Sequence, residues 1–283
     1  MTVFRISIIL INATIILIFS SCQKSKSNQQ IPGWKLIWQD EFDYDIDELS
    51  ENWNFEEGYG SNGWGNDEWQ YYSKENTSIE SGNLVITAKS EGKINKRDKS
   101  ITSSRLQTYQ KFDFKPGTKI IARIKLPWGQ GIWPAFWALG SNYSEVGWPS
   151  CGEIDILEMT GANPINHEKN YTIHSTCHWN DVNDPKNYKH AQHGKPLKLT
   201  KDFVNDYHVY EMIYQSDYIQ TKVDGKEIFK INTSVGKLKE PFNKAFFLIL
   251  NVAVGGHWPG NPSNETIFPQ KMHVDYIRAY QKI

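Results

Sequence analysis

Residues 151–160 read CGEIDILEMT, from Cys151 to Thr160. Three carboxylates, Glu153, Asp155 and Glu158, stand at i, i+2 and i+5 among apolar neighbours. On a helix, i and i+2 point nearly opposite ways, so Glu153 and Asp155 would diverge. On a strand they share a face. Glu158 has the wrong parity for that face unless one extra residue intervenes. A β-bulge between Asp155 and Glu158 supplies it and brings all three acids to one side. Ile154, Ile156 and Leu157 then give the strand an apolar opposite face, which belongs inside a sheet and not at a solvated edge.

The chain around this stretch reads as strand after strand. In TKIIARIKL, Ile120, Ala122, Ile124 and Leu126 fall on one face, with Lys119, Arg123 and Lys125 on the other. NLVITAKS and HVYEMIYQ are further short strands. Asp224-Gly225 separates two β-rich runs in YIQTKVDGKEIFKI, a hairpin signal. KAFFLILNVAVGG starts as a buried strand and ends in a glycine turn, and KMHVDYIRAYQ closes the chain. No long amphipathic helix and no repeat is evident. The segment 181–198, DVNDPKNYKHAQHGKPLK, is polar and reads as a surface loop, with a lone helix as the alternative. The expected fold is all-β, an antiparallel jelly-roll sandwich running without a linker from residue 33 to 283.

The N-terminus has targeting form. MTVFRISIILINATIILIFSSC carries one early Arg5, then an apolar run too short for a spanning helix, then small residues ending at Cys22. IFSSC resembles the bacterial lipobox, so residues 1–22 read as a lipoprotein-type signal peptide with Cys22 lipidated. Residues 23–32 are a polar tether. The expectation is an exported lipoprotein, facing the periplasm or the cell surface, whose only membrane contact is that lipid. The net charge of -1 offers no field for nucleic acid. A monomer is expected. Cys151 and Cys177 are the remaining cysteines. If 153–160 and 171–179 are successive antiparallel strands, these two nearly face each other. A disulfide and two buried free thiols both remain open.

Three crowded acids raise one another's pKa, and a strand that keeps them has a use for it. Retaining glycoside hydrolysis needs one carboxylate to attack an anomeric carbon and a second, held protonated, to protonate the leaving oxygen. Glu153 and Glu158 suit those roles, and Asp155 lies between them to tune protonation. Calcium is another use for three carboxylates, but calcium loops are Gly/Asn-rich and flexible, unlike this strand.

GEIDILE resembles the active-site strand of glycoside hydrolase family 16 in its bulged E-x-D-x-x-E form. LIWQDEFD, GWGNDEWQYYS, SGNLVITAKS, SSRLQTYQKFDF, ARIKLPWGQGIWPAFWALG, FFLILNVAVGGHWPGNP and VDYIRAYQ resemble further family segments, in family order over nearly the whole mature chain. The matching subgroup is the bacterial laminarinases, endo-acting on β-1,3-glucan. The resemblance implies two curved sheets with a concave glycan cleft. It implies Glu153 as nucleophile, Asp155 as assisting acid and Glu158 as acid/base, with no cofactor for catalysis. Trp133, Trp137 and Trp148 are candidate stacking platforms for sugar rings. Asn66 and Arg105 resemble residues that contact sugars on the non-reducing side, and Trp258 would wall the cleft. His178 is expected on the strand beside Glu158, hydrogen-bonded to it. A structural calcium ion on the convex face would take Glu41, the Gly82 carbonyl and Asp275. Strict mixed-linkage enzymes have the unbulged E-x-D-x-E, and their last Glu would stand where this chain has Leu157. A mixed-linkage β-1,3-1,4-glucanase and a non-catalytic glucan-binding surface protein are the alternatives. Binding proteins on this fold lose one or both glutamates, and this chain keeps them.

Overall fold

Alternation in the sequence becomes alternation in burial. Along Thr118–Lys125 every second residue is buried, with Ile120, Ala122 and Ile124 facing the core. Asp224 and Gly225 take φ of 49° and 75° and close a two-residue hairpin in which Val223 pairs with Lys226. The left-handed values at both positions are those of a type I′ turn, whose twist suits paired strands. All nine residues of Phe246–Val254 are buried.

The structure is a computed structural model that describes residues 30–92, 94–182 and 187–283. The signal peptide with Cys22, and tether residues 23–29, lie outside the described residues. Residues 31–283 form one unit. Within it, ten strands make one sheet and seven make the other. The seven-stranded sheet carries the acids, and its strands are numbered here in chain order. They are β1 (Asn54–Glu56), β2 (Arg105–Gln107), β3 (Ile132–Gly140), β4 (Glu153–Glu158), β5 (Thr172–Asn180), β6 (His190–Lys198) and β7 (Phe246–Val254). Their spatial order is β6-β5-β4-β3-β7-β2-β1, antiparallel throughout. Among the described residues no helix is long and apolar enough to cross a membrane.

One core fills the space between the sheets. Ile120, Ala122, Ile124, Val274 and Ile277 enter it from the larger sheet, and Phe136, Ile154, Ile156, Leu157, Leu248 and Leu250 from the smaller. The result is the expected jelly roll.

One expectation needs correction, and one alternative left open is decided. Half of the segment read as a loop, His190–Lys198, is strand β6, paired along its whole length with β5. β6 is an edge strand with little to bury, so its polar composition hid it. Pro196 is tolerated there because an edge strand leaves some N–H positions unpaired. The thiols of Cys151 and Cys177 are free and buried. Cys177 pairs with Ile154, three residues along from Cys151, and packs in the inter-sheet core. Cys151 packs instead with Leu139, Phe247 and Ile249 in a separate cluster. The bulge and the long β4–β5 connection shift the register that chain spacing suggested.

Candidate active site

β4 carries the bulge. Asp155 pairs with Trp137 of β3 and the next pair is Leu157 with Phe136, while against β5 the register slips between Asp155 and Glu158. Ile156 and Leu157 are consecutive, and both are fully buried in the core. Glu153, Asp155 and Glu158 are left on the opposite face. The strand is entered through Gly152, at φ +81°, where an added Cβ would stand 2.8 Å from Pro241. Only glycine fits that turn.

Antiparallel register then brings distant residues beside the acids. One row across the sheet runs Glu56, Arg105, Asn251, Ala135, Glu158, His174. The next runs Ile249, Trp137, Asp155, Thr176, Gly194. A third runs Phe247, Leu139, Glu153, His178, Gln192. Trp133, Ala135 and Trp137 alternate on this face, and Ala135 leaves room above Glu158.

Each glutamate receives an indole hydrogen bond. Trp148 Nε1 donates to Glu153 Oε2 at 3.0 Å, and Trp133 Nε1 donates to Glu158 Oε1 at 3.0 Å. Asp155 lies between them, 3 % exposed. His178 Nε2 stands 3.0 Å from Asp155 Oδ2 and 3.7 Å from Glu153 Oε1. Asp155 Oδ2 accepts no aligned hydrogen bond. Burial pushes Glu153 up to about 7, with the Asp155 charge adding to the rise and His178, Trp148 and Arg105 opposing it. Burial raises Asp155 to about 8. Burial, then the charges of Asp155 and Glu153, hold Glu158 well above the usual carboxylate range. The three acids share too little solvent to ionise together, so this face keeps a proton at neutral pH.

Beside the acids lies a surface suited to sugar. The Arg105 guanidinium sits between two indoles, 4.6 Å from Trp64 and 4.9 Å from Trp137, and pairs with Glu56. Trp137 Nε1 donates to Asn251 Oδ1 at 2.8 Å, which fixes that ring half-buried on the sheet face. Trp258, 42 % exposed, meets Trp133 edge-on at 5.3 Å and His174 at 5.0 Å. Trp148, 40 % exposed, stands at the other end near His178 and His190. Asn66 Nδ2 donates to Glu68 Oε1 at 3.0 Å, which aligns its carboxamide within the loop Gly63–Asp67.

The family model for glycosyl hydrolases family 16 matches residues 65–278, most of the chain. The chain belongs to glycosyl hydrolases family 16. A β-glucanase of Rhodothermus marinus is 34% identical over 283 residues, covering 94% of this chain and 92% of the relative. The clotting factor G alpha subunit of Tachypleus tridentatus is 39% identical over 251 residues, 88% of this chain. This chain spans 34% of that subunit's length, about a third. The laminarinase catalytic domain of Thermotoga maritima MSB8 superposes with a TM-score of 0.76 at 41% identity, covering 88% of this chain and 99% of that one.

Within this family 16 site one sequence expectation fails. His178 does lie on the strand next to the acids, but its register partner is Glu153 and its nearest acid is Asp155. The residue opposite Glu158 is His174. The signal was available, because His174, Thr176 and His178 share parity in TIHSTCHW. Other functional neighbours were also missed. Glu68, 4 % exposed, accepts from Asn66, Gln70 at 2.7 Å and Tyr72 at 3.3 Å. Asn251 Nδ2 donates to Tyr72 Oη at 3.1 Å. A lone Asn in the apolar run FFLILNVAV was the visible trace of this buried network.

Glu153, Asp155 and His178 each offer a ligand atom within 4.8 Å of the others, a spacing that suits a metal ion as well as a proton. The expected calcium ligands lie elsewhere. Glu41 takes Arg278 by two bonds, at 2.6 and 3.0 Å, and Asp275 takes Arg123 at 2.7 Å. An added Cβ on Gly82 would stand 2.7 Å from Asp43 Oδ1, so a third carboxylate lies against the Gly82 backbone. The donors are hard oxygens, the ligand type calcium takes.

Proposed function

We propose that the protein is a retaining endo-hydrolase of β-1,3-glucan. The observation that carries this reading is the bulged strand with its three raised acids, flanked by tryptophans, in a family 16 chain whose relatives of like length include a β-glucanase and a laminarinase catalytic domain. Glycoside hydrolases of this family need no catalytic cofactor.

In the first step Glu153 attacks the anomeric carbon as a carboxylate, while Glu158 gives its proton to the departing glycosidic oxygen. A glycosyl ester on Glu153 results, and the leaving chain gains a hydroxyl. Glu158, now ionised, takes a proton from water, whose oxygen attacks the anomeric carbon and frees Glu153. Two inversions give net retention, and Glu158 ends protonated. Asp155, raised by burial, holds a proton near Glu153 and limits the negative charge crowded between the glutamates. Trp133 fixes the Glu158 carboxyl and Trp148 that of Glu153. Trp137, Trp258 and the exposed face of Trp148 offer stacking to the apolar faces of the sugar rings, and Arg105 and Asn66 offer donors to hydroxyls.

Leu157 occupies the position where an unbulged strand would hold its last glutamate, which favours β-1,3-glucan over a strict mixed-linkage substrate. Reducing-sugar release from laminarin, lichenan, agarose and xyloglucan, with products sized, tests the assignment. Laminarin cut to a ladder of oligosaccharides is expected. Preferential cleavage of lichenan, or of none of the four, rejects it.

The finer reading adds an anchor and an ion. Cys22 carries a lipid that holds an exported monomeric enzyme at a membrane; membrane-fraction release of Cys22→Ser is the expected sign, and a soluble wild type counts against it. A calcium ion held by Glu41, the Gly82 carbonyl and Asp275 ties the first strand to the last. Chelation should lower Tm, and an unchanged Tm speaks against the ion.

A further inference from the structure

β6 brings a second histidine to the site. His190 Nε2 lies 2.8 Å from His178 Nδ1, and the two rings stack with centroids 5.1 Å apart and planes 15° from parallel. Trp148 packs against His190 at 4.8 Å while its Nε1 reaches Glu153. The backbone beside His190 is tied down, since Lys189 N donates to Asn180 Oδ1 at 2.9 Å and Asp181 N to Lys189 O at 2.8 Å. The charged and titratable groups that bear on His178 are Asp155, Glu153 and, through charge, Glu158 on β4, and His190 on β6. Arg105 on β2 acts on Glu153 from farther away.

Two imidazole nitrogens 2.8 Å apart need one hydrogen between them. His178 Nε2 lies 3.0 Å from Asp155 Oδ2 and 3.7 Å from Glu153 Oε1, so with these carboxyls ionised it carries its own hydrogen. A neutral His178 therefore accepts at Nδ1 from His190 Nε2–H. A cationic His178 donates from Nδ1, and His190 then keeps its hydrogen on Nδ1. The contact survives in both states because His190, exposed on the edge strand, can exchange tautomers. Burial and the nearby His178 hold His190 below the usual imidazole range.

We propose that His190 is a positioning residue of the hydrolytic centre. It holds the His178 ring toward Asp155 and the Trp148 indole toward Glu153. This inference rests on the reading of Glu153, Asp155 and Glu158 as the hydrolytic acids.

The test compares kcat and KM for laminarin across pH in the wild type, His190→Phe and His190→Ala. His190→Phe keeps an aromatic ring but loses the nitrogen. A fall in kcat of about tenfold is expected, with KM within about twofold and the acid limb displaced, because a small misplacement beside the reacting groups is costly. Imidazole in solution should restore part of the activity of His190→Ala and none of that of His190→Phe. A His190→Phe profile that superimposes on the wild type overturns the proposal. Ring nitrogen NMR of the wild type provides a second reading that needs no variant. In alkaline solution His178 should be the Nε2–H tautomer, and an Nδ1–H tautomer overturns the proposal equally. A wild type that cleaves no β-glucan rejects the proposed function, while the NMR result still decides the place of His190.

Discussion

Glu153 and Glu158 owe their chemistry to what surrounds them. Both are glutamates on one strand, yet burial and the charge of Asp155 keep them from behaving as surface acids. For Glu153 the rise from 4.5 to about 7 corresponds to disfavoured ionisation on the order of 3 kcal/mol. Because the folded value lies above the unfolded one, the native state binds this proton more tightly than the unfolded chain does. Stability is therefore full below pH 4.5 and falls as pH rises from there to about 7. Glu153→Gln removes that ionisation and keeps an acceptor for Trp148. Its Tm is expected above that of the wild type near pH 8, with the gap closing toward pH 4. Thermal melts across that range check the sign, and a wild type more stable than the variant at pH 8 contradicts it. The same substitution should abolish turnover. Glu158→Gln should lose about 10²–10⁴-fold, the usual contribution of a positioned acid/base. Near-normal laminarin hydrolysis by either variant would remove the residue from the mechanism.

At the scale of the element, the bulge decides what β4 presents. Deleting Ile156 would leave Glu-Ile-Asp-Leu-Glu in simple alternation, with the last glutamate still on the cleft face but one residue nearer Asp155. That glutamate would lose its place under Trp133. Laminarin turnover should fall about a hundredfold or more, as expected when a reacting group moves by more than about an ångström. Losing one buried Ile should also lower stability by the amount a large core truncation costs, about 2–5 kcal/mol, and Tm with it. Kinetics and melts of the deletion variant check both, and unchanged laminarin activity would mean the bulge has no catalytic role. The bulge was legible because Ile156 and Leu157 are both apolar between acids of mismatched parity. The Asp224-Gly225 hairpin and the alternating Thr118–Lys125 strand were legible for the same kind of local reason. β6 was not, since an edge strand with both faces wet carries no apolar period. The partner of His178 was misjudged because it depends on cross-strand register, which the bulge and the long β4–β5 connection both move.

On the scale of the whole molecule, the site is a property of the sheet. Glu56, Arg105, Ala135, Glu158, His174 and Asn251 stand in one row although they span nearly two hundred residues of chain. Single motifs revealed the acids and the tryptophans. The supporting Glu68, Tyr72 and Asn251 network was illegible because its members meet only after the sheet has formed. The cysteines show the same limit, since spacing brought them together and the sheet sets them in separate clusters. Alkylation of the denatured, unreduced domain 33–283 should add two groups, at Cys151 and Cys177. Addition of none would mean a bond joins them. The central claim is that Glu153 and Glu158 work as a nucleophile and an acid/base across one sugar ring, a geometry that gives retention when the carboxyls lie roughly 5–5.5 Å apart. Proton NMR of the first products released from laminarin tests it most directly. A β-anomer signal that appears first and then mutarotates is the expected result, and an α-anomer appearing first would contradict it.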